Sequence, residues 1–120
     1  MSITKPRAKT QLASDLQKIL RFQKQREWKQ FHSPKNLAIS LALESAEVLE
    51  LFQWTFDNSL PSGKQKQLVE ELADVYYYLL LLAHTSKIDL HKAFASKMIV
   101  NANKYPVHKS RGKSTKYTEL

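Results

Sequence analysis

Apolar residues recur every three to four positions along most of this chain, and short polar breaks divide the pattern into four segments. Leu12, Leu16, Ile19 and Leu20 keep helical spacing in a first segment from about Lys9 to Gln30. "SPKN" at 33–36 then reads as a helix start: Ser33 is the N-cap, and Pro34 takes the first helical position, where a missing N–H does no harm. This second helix is expected to reach about Phe56. "DNSLPSGK" at 57–64 gathers turn-forming residues and reads as the loop of an antiparallel hairpin. A third helix follows from about Lys64 to Thr85. Its "YYYLLLL" piece alone would suit a buried strand, but it continues the period of "LVEELAD" without a breaker. Asp89 caps a fourth helix, with Ile88 before it as a staple residue, and this helix ends near Asn103, ahead of Pro106.

The expected fold is therefore all-α, a four-helix bundle over residues 1–106. A basic tail, 107–120, is poor in apolar residues and is expected to be extended or mobile. Composition agrees: two glycines in 120 residues favour helices over sheets and turns. The absence of cysteine excludes disulfides, thiolate zinc sites and cysteine nucleophiles, and suits a reducing cytoplasm. The N-terminus lacks the apolar stretch of a secretory signal. The longest apolar run, 75–83, is far short of the roughly 20 residues a membrane span requires. A soluble cytoplasmic protein with no membrane partner is expected. The net charge of +8 leaves several partners open: nucleic acid, a membrane surface, a small anion such as a nucleotide, or water alone.

Acidic residues interrupt two of the apolar stripes. Counted in heptads from Leu37, the core-facing positions of the second helix are Leu37, Ser40, Leu41, Glu44, Glu47, Val48, Leu51 and Trp54. In the third they are Leu68, Glu71, Leu72, Val75, Tyr78, Leu79 and Leu82, with Asp74 at the edge. Carboxylates three apart share a helix face, and a hairpin would bring both pairs together at mid-height. Four carboxylates in a low-dielectric place cannot all stay ionised unaided, and a divalent cation resolves the conflict. Oxygen-only ligation, with no Cys and no ExxH, points to Mg²⁺, with Mn²⁺ as a substitute, rather than zinc or di-iron. The plainer alternative is a solvated acidic face paired with lysines.

Glu44-x-x-Glu47 followed by Glu71-x-x-Asp74 resembles the ExxE…ExxD signature of the MazG-like all-α nucleoside triphosphate pyrophosphohydrolases. "EWKQFHSPKNLAISLALESAEVLELFQW", "EELADVYYYLL", "SKMIVNANKYP" and "KYTEL", in that order, are most similar to the dCTP pyrophosphatase branch. The resemblance implies Mg²⁺ ligation by Glu44, Glu47, Glu71 and Asp74. It assigns Trp28, His32, Trp54 and Tyr78 to the base and sugar, and Lys97, Asn101, Lys104 and Tyr105 to the phosphates. It further implies a homo-oligomer, typically a dimer of dimers, with pockets built partly from neighbouring subunits. The reaction implied is hydrolysis of the α–β anhydride of dCTP or a modified relative to monophosphate and pyrophosphate, as a house-cleaning step on the nucleotide pool. Ser45 and Ala46 replace the glycine-containing spacer common in relatives, and the segment before the third helix is shorter than in some, which bears on base preference.

The residues themselves leave alternatives. Glu50 or Glu70 could serve as general base or as a lysine partner; Trp28 and Trp54 could stack on a base or fill an interface. His32 could touch the ligand or cap a helix locally, and Tyr77 is expected at an interface or the surface. Lys109, Arg111, Lys113 and Lys116 suit solvation or steering of an anion. Two rival readings are a small basic nucleic-acid-binding module and a catalytically inactive oligomeric relative.

Overall fold

The computed structural model describes the backbone of residues 7–120 and the side chains of residues 11–120. It is helical throughout, with no strand among the described residues. The helices are α1 (Arg7–Gln25), α2 (Pro34–Glu50), α3 (Gln65–Thr85), α4 (Leu90–Lys104) and the single turn α5 (Val107–Ser110). Short 3₁₀ turns lie at Lys29–Phe31 and Tyr117–Glu119. The chain forms two compact units that divide between Ile88 and Asp89.

In the first unit α3 packs against both α2 and α1. Its small apolar core is made by Ile19, Leu37, Leu80, Leu81 and Ala83. The α2–α3 seam is antiparallel, as its contacts show: Ser40 reaches Tyr78, Glu44 lies near Asp74 and Glu71, and Glu47 bonds Glu71. Between α1 and α3 the Tyr76 hydroxyl donates to Asp15 Oδ2 at 2.7 Å.

The start of α2 is as the sequence indicates: Ser33 Oγ accepts from the Asn36 amide at 3.2 Å, with Pro34 in the first position. Its end differs. Helix α2 stops at Glu50, not Phe56, because the Leu51, Phe52 and Gln53 amides turn to carbonyls three residues back. Both the amide and the hydroxyl of Thr55 then bond the Phe52 carbonyl, which closes off any further α register. In the 57–64 loop, Asp57 Oδ1 accepts from the Ser59 amide and hydroxyl, and Gly63 supplies a φ of +82°.

Helix α1 also ends early, at Gln25 instead of Gln30. The Trp28 amide bonds the Gln23 carbonyl at 3.0 Å and the Glu27 amide bonds the Lys24 carbonyl at 3.1 Å, a Schellman motif with Glu27 at φ +54°. The same motif ends α3: Ile88 bonds Ala83, Lys87 bonds His84, and Lys87 has φ +58°. Neither left-handed position is glycine, so the usual sequence signal for a helix stop is missing at both.

In the second unit Asp89 caps α4 by accepting from the Lys92 amide at 3.1 Å. The tail is more ordered than its composition suggests. Tyr117 stacks edge-on against Tyr105 at 5.9 Å, and the Lys104 ammonium lies 4.7 Å from the Tyr117 ring centre. These contacts tie the final 3₁₀ turn to the end of α4.

Left-handed backbone is costly for residues with a Cβ, and Gly63 and Lys87 hold similar φ angles. Lys87→Gly is expected to raise unfolding free energy by about 1 kcal/mol, read from the midpoint of urea denaturation. A lower midpoint would contradict this account of the α3 terminus.

Candidate active site

Helix α2 sets Glu44 and Glu47 one turn apart, and the antiparallel seam brings Glu71 of α3 opposite them. One carboxylate oxygen from each of the three lies within 4.8 Å of the others. Oε2 of Glu44 and Oε2 of Glu71 are buried with no hydrogen-bond partner among the described residues. Electrostatics reflect the crowding. Burial holds the Glu44 carboxyl above its ordinary range, helped by the hydrogen bond to Glu47 and by repulsion from Glu47 and Asp74. Glu71 is pushed up to about 7, first by its hydrogen bond to Glu47, then by burial and by repulsion from Glu47, Glu44 and Asp74. The groups acting on Glu44 and Glu71 are other carboxylates, and no lysine or arginine is among them.

This donor set suits a hard divalent cation. Opposite oxygens around a Mg²⁺ ion at its usual ~2.1 Å would be about 4.2 Å apart, close to the span of the cluster. Two orphaned buried oxygens would gain a partner. Asp74 stands outside the triplet, one turn farther along α3, yet near enough to raise Glu44, Glu71 and Tyr78.

Beside the acids opens a cavity of about 420 Å³ lined by Lys18, Ile19 and Phe22 of α1, by Trp28, and by Glu44, Asp74, Tyr77 and Tyr78. Glu44 thus belongs to both places, and Asp74 to the cavity wall. The aromatic rings meet edge to face: Phe22–Trp28 at 5.6 Å, Phe22–Tyr77 at 6.3 Å and Tyr77–Tyr78 at 4.9 Å between centroids. Outside this set the Arg26 guanidinium lies 3.7 Å from the Phe22 ring centre. Burial holds the Tyr78 hydroxyl above its usual range, repulsion from Glu44 and Asp74 adds to this, and a bond with Ser40 opposes it.

Other sequence candidates lie elsewhere. His32 Nδ1 pairs with Nε2 of Gln23 at 2.6 Å, and Gln23 is only 4% exposed. His32 lines a second cavity of about 720 Å³ with Lys24, Lys29 and His84, and meets Trp28 edge-on at 6.3 Å. Trp54, past the end of α2, is 83% exposed and borders a third cavity with Glu50, Phe56 and Lys64. Glu50, at the last position of α2, lines that third cavity and is not part of the acid triplet. Lys97 and Asn101 stand on α4, which ends at Lys104, and Tyr105 is its C-cap, so all four belong to the second unit. Lys18, Ile19, Phe22 and Tyr77 were not candidates from sequence. Phe22 continues the stripe of Leu12, Leu16 and Ile19, a signal that would have drawn it to the same face.

The MazG-like family model matches residues 39–120, which hold all four acids and both cavity tyrosines. The chain belongs to the MazG-like family. Mouse and human dCTP pyrophosphatase 1 are each 45% identical to this MazG-like chain over 104 residues, covering 82% of it. The chain spans 61% of the length of those relatives. The crystal structure of a pyrophosphatase from Archaeoglobus fulgidus superposes with a TM-score of 0.78 at 34% identity, covering 88% of this chain and 98% of that one.

Glu44 and Glu71 hold protons more tightly in the fold than in an unfolded chain. The metal-free fold is therefore favoured at low pH and loses that stability as pH rises from about 4.5 towards about 7. Thermal unfolding in chelator is expected to show Tm falling across that interval. Mg²⁺ or Glu71→Gln should flatten the fall, and a flat profile in the wild-type protein would refute the coupling.

Proposed function

We infer that this MazG-like chain is a divalent-cation-dependent nucleotide pyrophosphohydrolase that adds water across the α–β anhydride of a deoxynucleoside triphosphate, dCTP or a modified relative first. The observation that carries this reading is the junction of the acid triplet with an aromatic cavity through the shared Glu44, with Asp74 on the cavity wall. An acid cluster suited to a polyanion's counter-ion, lying beside an aromatic cavity, supports it. The names of the mouse and human relatives support the reaction and the base.

Glu44, Glu47 and Glu71 would hold the cation, Mg²⁺ or in its place Mn²⁺, with Asp74 at its margin. When bound there, the cation offsets phosphate charge and lowers the pKa of a water molecule. The chain supplies the rest. Trp28, Phe22 and Tyr77 wall the base, where stacking on one ring contributes roughly 1–3 kcal/mol. Tyr78 closes the side nearest the acids. Lys18 at the cavity lining offers a positive charge to the incoming anion. Lys97, Asn101 and Lys104 recur at helical spacing along α4, and with Tyr105 they are the residues the family resemblance assigns to the phosphates.

The same reading includes a homo-oligomer, a dimer of dimers. Helix α2 leaves large apolar side chains exposed: Ile39 is 48%, Leu43 61% and Leu49 68% exposed. Apolar side chains exposed together on one helix suit an interface, and a second copy would cover them. Among the described residues no helix is long and apolar enough to cross a membrane, and the cytoplasm is the proposed location.

A pyrophosphate-release screen over canonical and modified nucleoside triphosphates, with Mg²⁺ present or chelated, tests the reaction. Glu47→Gln and Asp74→Asn are expected to lower release by on the order of 100-fold or more with unchanged circular dichroism, since even indirect metal partners contribute 10–100-fold. Wild-type rates in both variants would refute the assignment, and no release from any nucleotide would leave an inactive binding relative. Leu43→Glu is expected to convert an oligomer to smaller species in sedimentation velocity. A monomeric wild-type protein would rule the assembly out.

A further inference from the structure

Three consecutive tyrosines, 76–78, project in three directions around α3, and their hydroxyls meet different fates. Tyr76 donates to Asp15 at 2.7 Å, and Tyr78 bonds Ser40. The Tyr77 hydroxyl is buried and has no hydrogen-bond partner among the described residues. A buried unpaired hydroxyl destabilises a fold, and phenylalanine would fill the same space without that penalty. The group sits on a ring that lines the aromatic cavity, held edge-on between Phe22 and Tyr78.

We propose that Tyr77 is a specificity-determining residue, whose hydroxyl hydrogen-bonds the polar group at position 4 of a pyrimidine base. This rests on the nucleotide reading above. With the phosphates at the Glu44 end of the cavity, the base enters towards the aromatic rings. In a pyrimidine the atom across the ring from the glycosidic nitrogen is C4, so its substituent travels deepest. A phenol is both donor and acceptor, so it accepts from the 4-amino group of cytosine. Burial pushes the Tyr77 hydroxyl above its usual pKa, which keeps that proton in place. A pocket built around a hydrogen bond rejects an analogue that leaves its polar group unpaired.

The test compares wild type with Tyr77→Phe, using dCTP and the deoxynucleoside triphosphate of 2-pyrimidinone, which carries only hydrogen at C4. Equilibrium binding with Mg²⁺ and pyrophosphate-release kinetics are both measured, with thermal unfolding of each protein. The wild type should favour dCTP by roughly 10- to 100-fold. Tyr77→Phe should lose that preference by weakening dCTP, leave the pyrimidinone nucleotide within about twofold, and unfold no earlier than wild type. A wild type that does not distinguish the two, or a variant that keeps the wild-type ratio, overturns the proposal. Failure of hydrolysis alone would overturn the enzymatic reading, and the binding ratio would still decide the role of Tyr77.

Discussion

Mutual repulsion among carboxylates in the α2–α3 seam is the constraint on which the rest of this structure depends. Helices pack along apolar stripes, and a charge placed in such a stripe must be neutralised by a proton, a basic side chain or a metal ion. Among the described residues the groups that shift Glu44 and Glu71 are carboxyls, and both are displaced upward. Oxygens of three carboxyl groups converge within 4.8 Å. A cation suits them, and the antiparallel register of α2 on α3 brings them together.

Much of this was legible in the chain. Helical periodicity located all four major helices, and Ser33, Pro34 and Asp89 marked true starts. Acids set three apart inside two apolar stripes disclosed the cluster before any coordinates, because a helix face is a local property. The stops were harder. The Schellman turns at Glu27 and Lys87 carry no glycine, and the end of α2 is closed by bonds to carbonyls that no side-chain pattern announces.

The neighbourhood of the site was less legible for a related reason. Periodicity gives the face a residue occupies, but not what approaches that face from a distant element. Trp54 was expected on a core stripe; α2 ends four residues before it. His32 was grouped with the base, and its Nδ1 is paired with Gln23 across nine positions of sequence. Phe22 and Tyr77 meet across fifty-five positions of sequence, a juxtaposition created by α1 packing on α3.

The Schellman turn at Glu27 has a wider consequence. Because the Trp28 amide is tied to the Gln23 carbonyl, the indole is aimed by backbone hydrogen bonds at the end of α1 and not by the helices that carry the acids. Phe22, Trp28 and Lys18 all precede residue 39, where the family match begins. The acid cluster and much of the aromatic cavity wall therefore reside on separate stretches of chain. Such a division lets selection reshape the aromatic wall of the cavity without disturbing the carboxylates beside it.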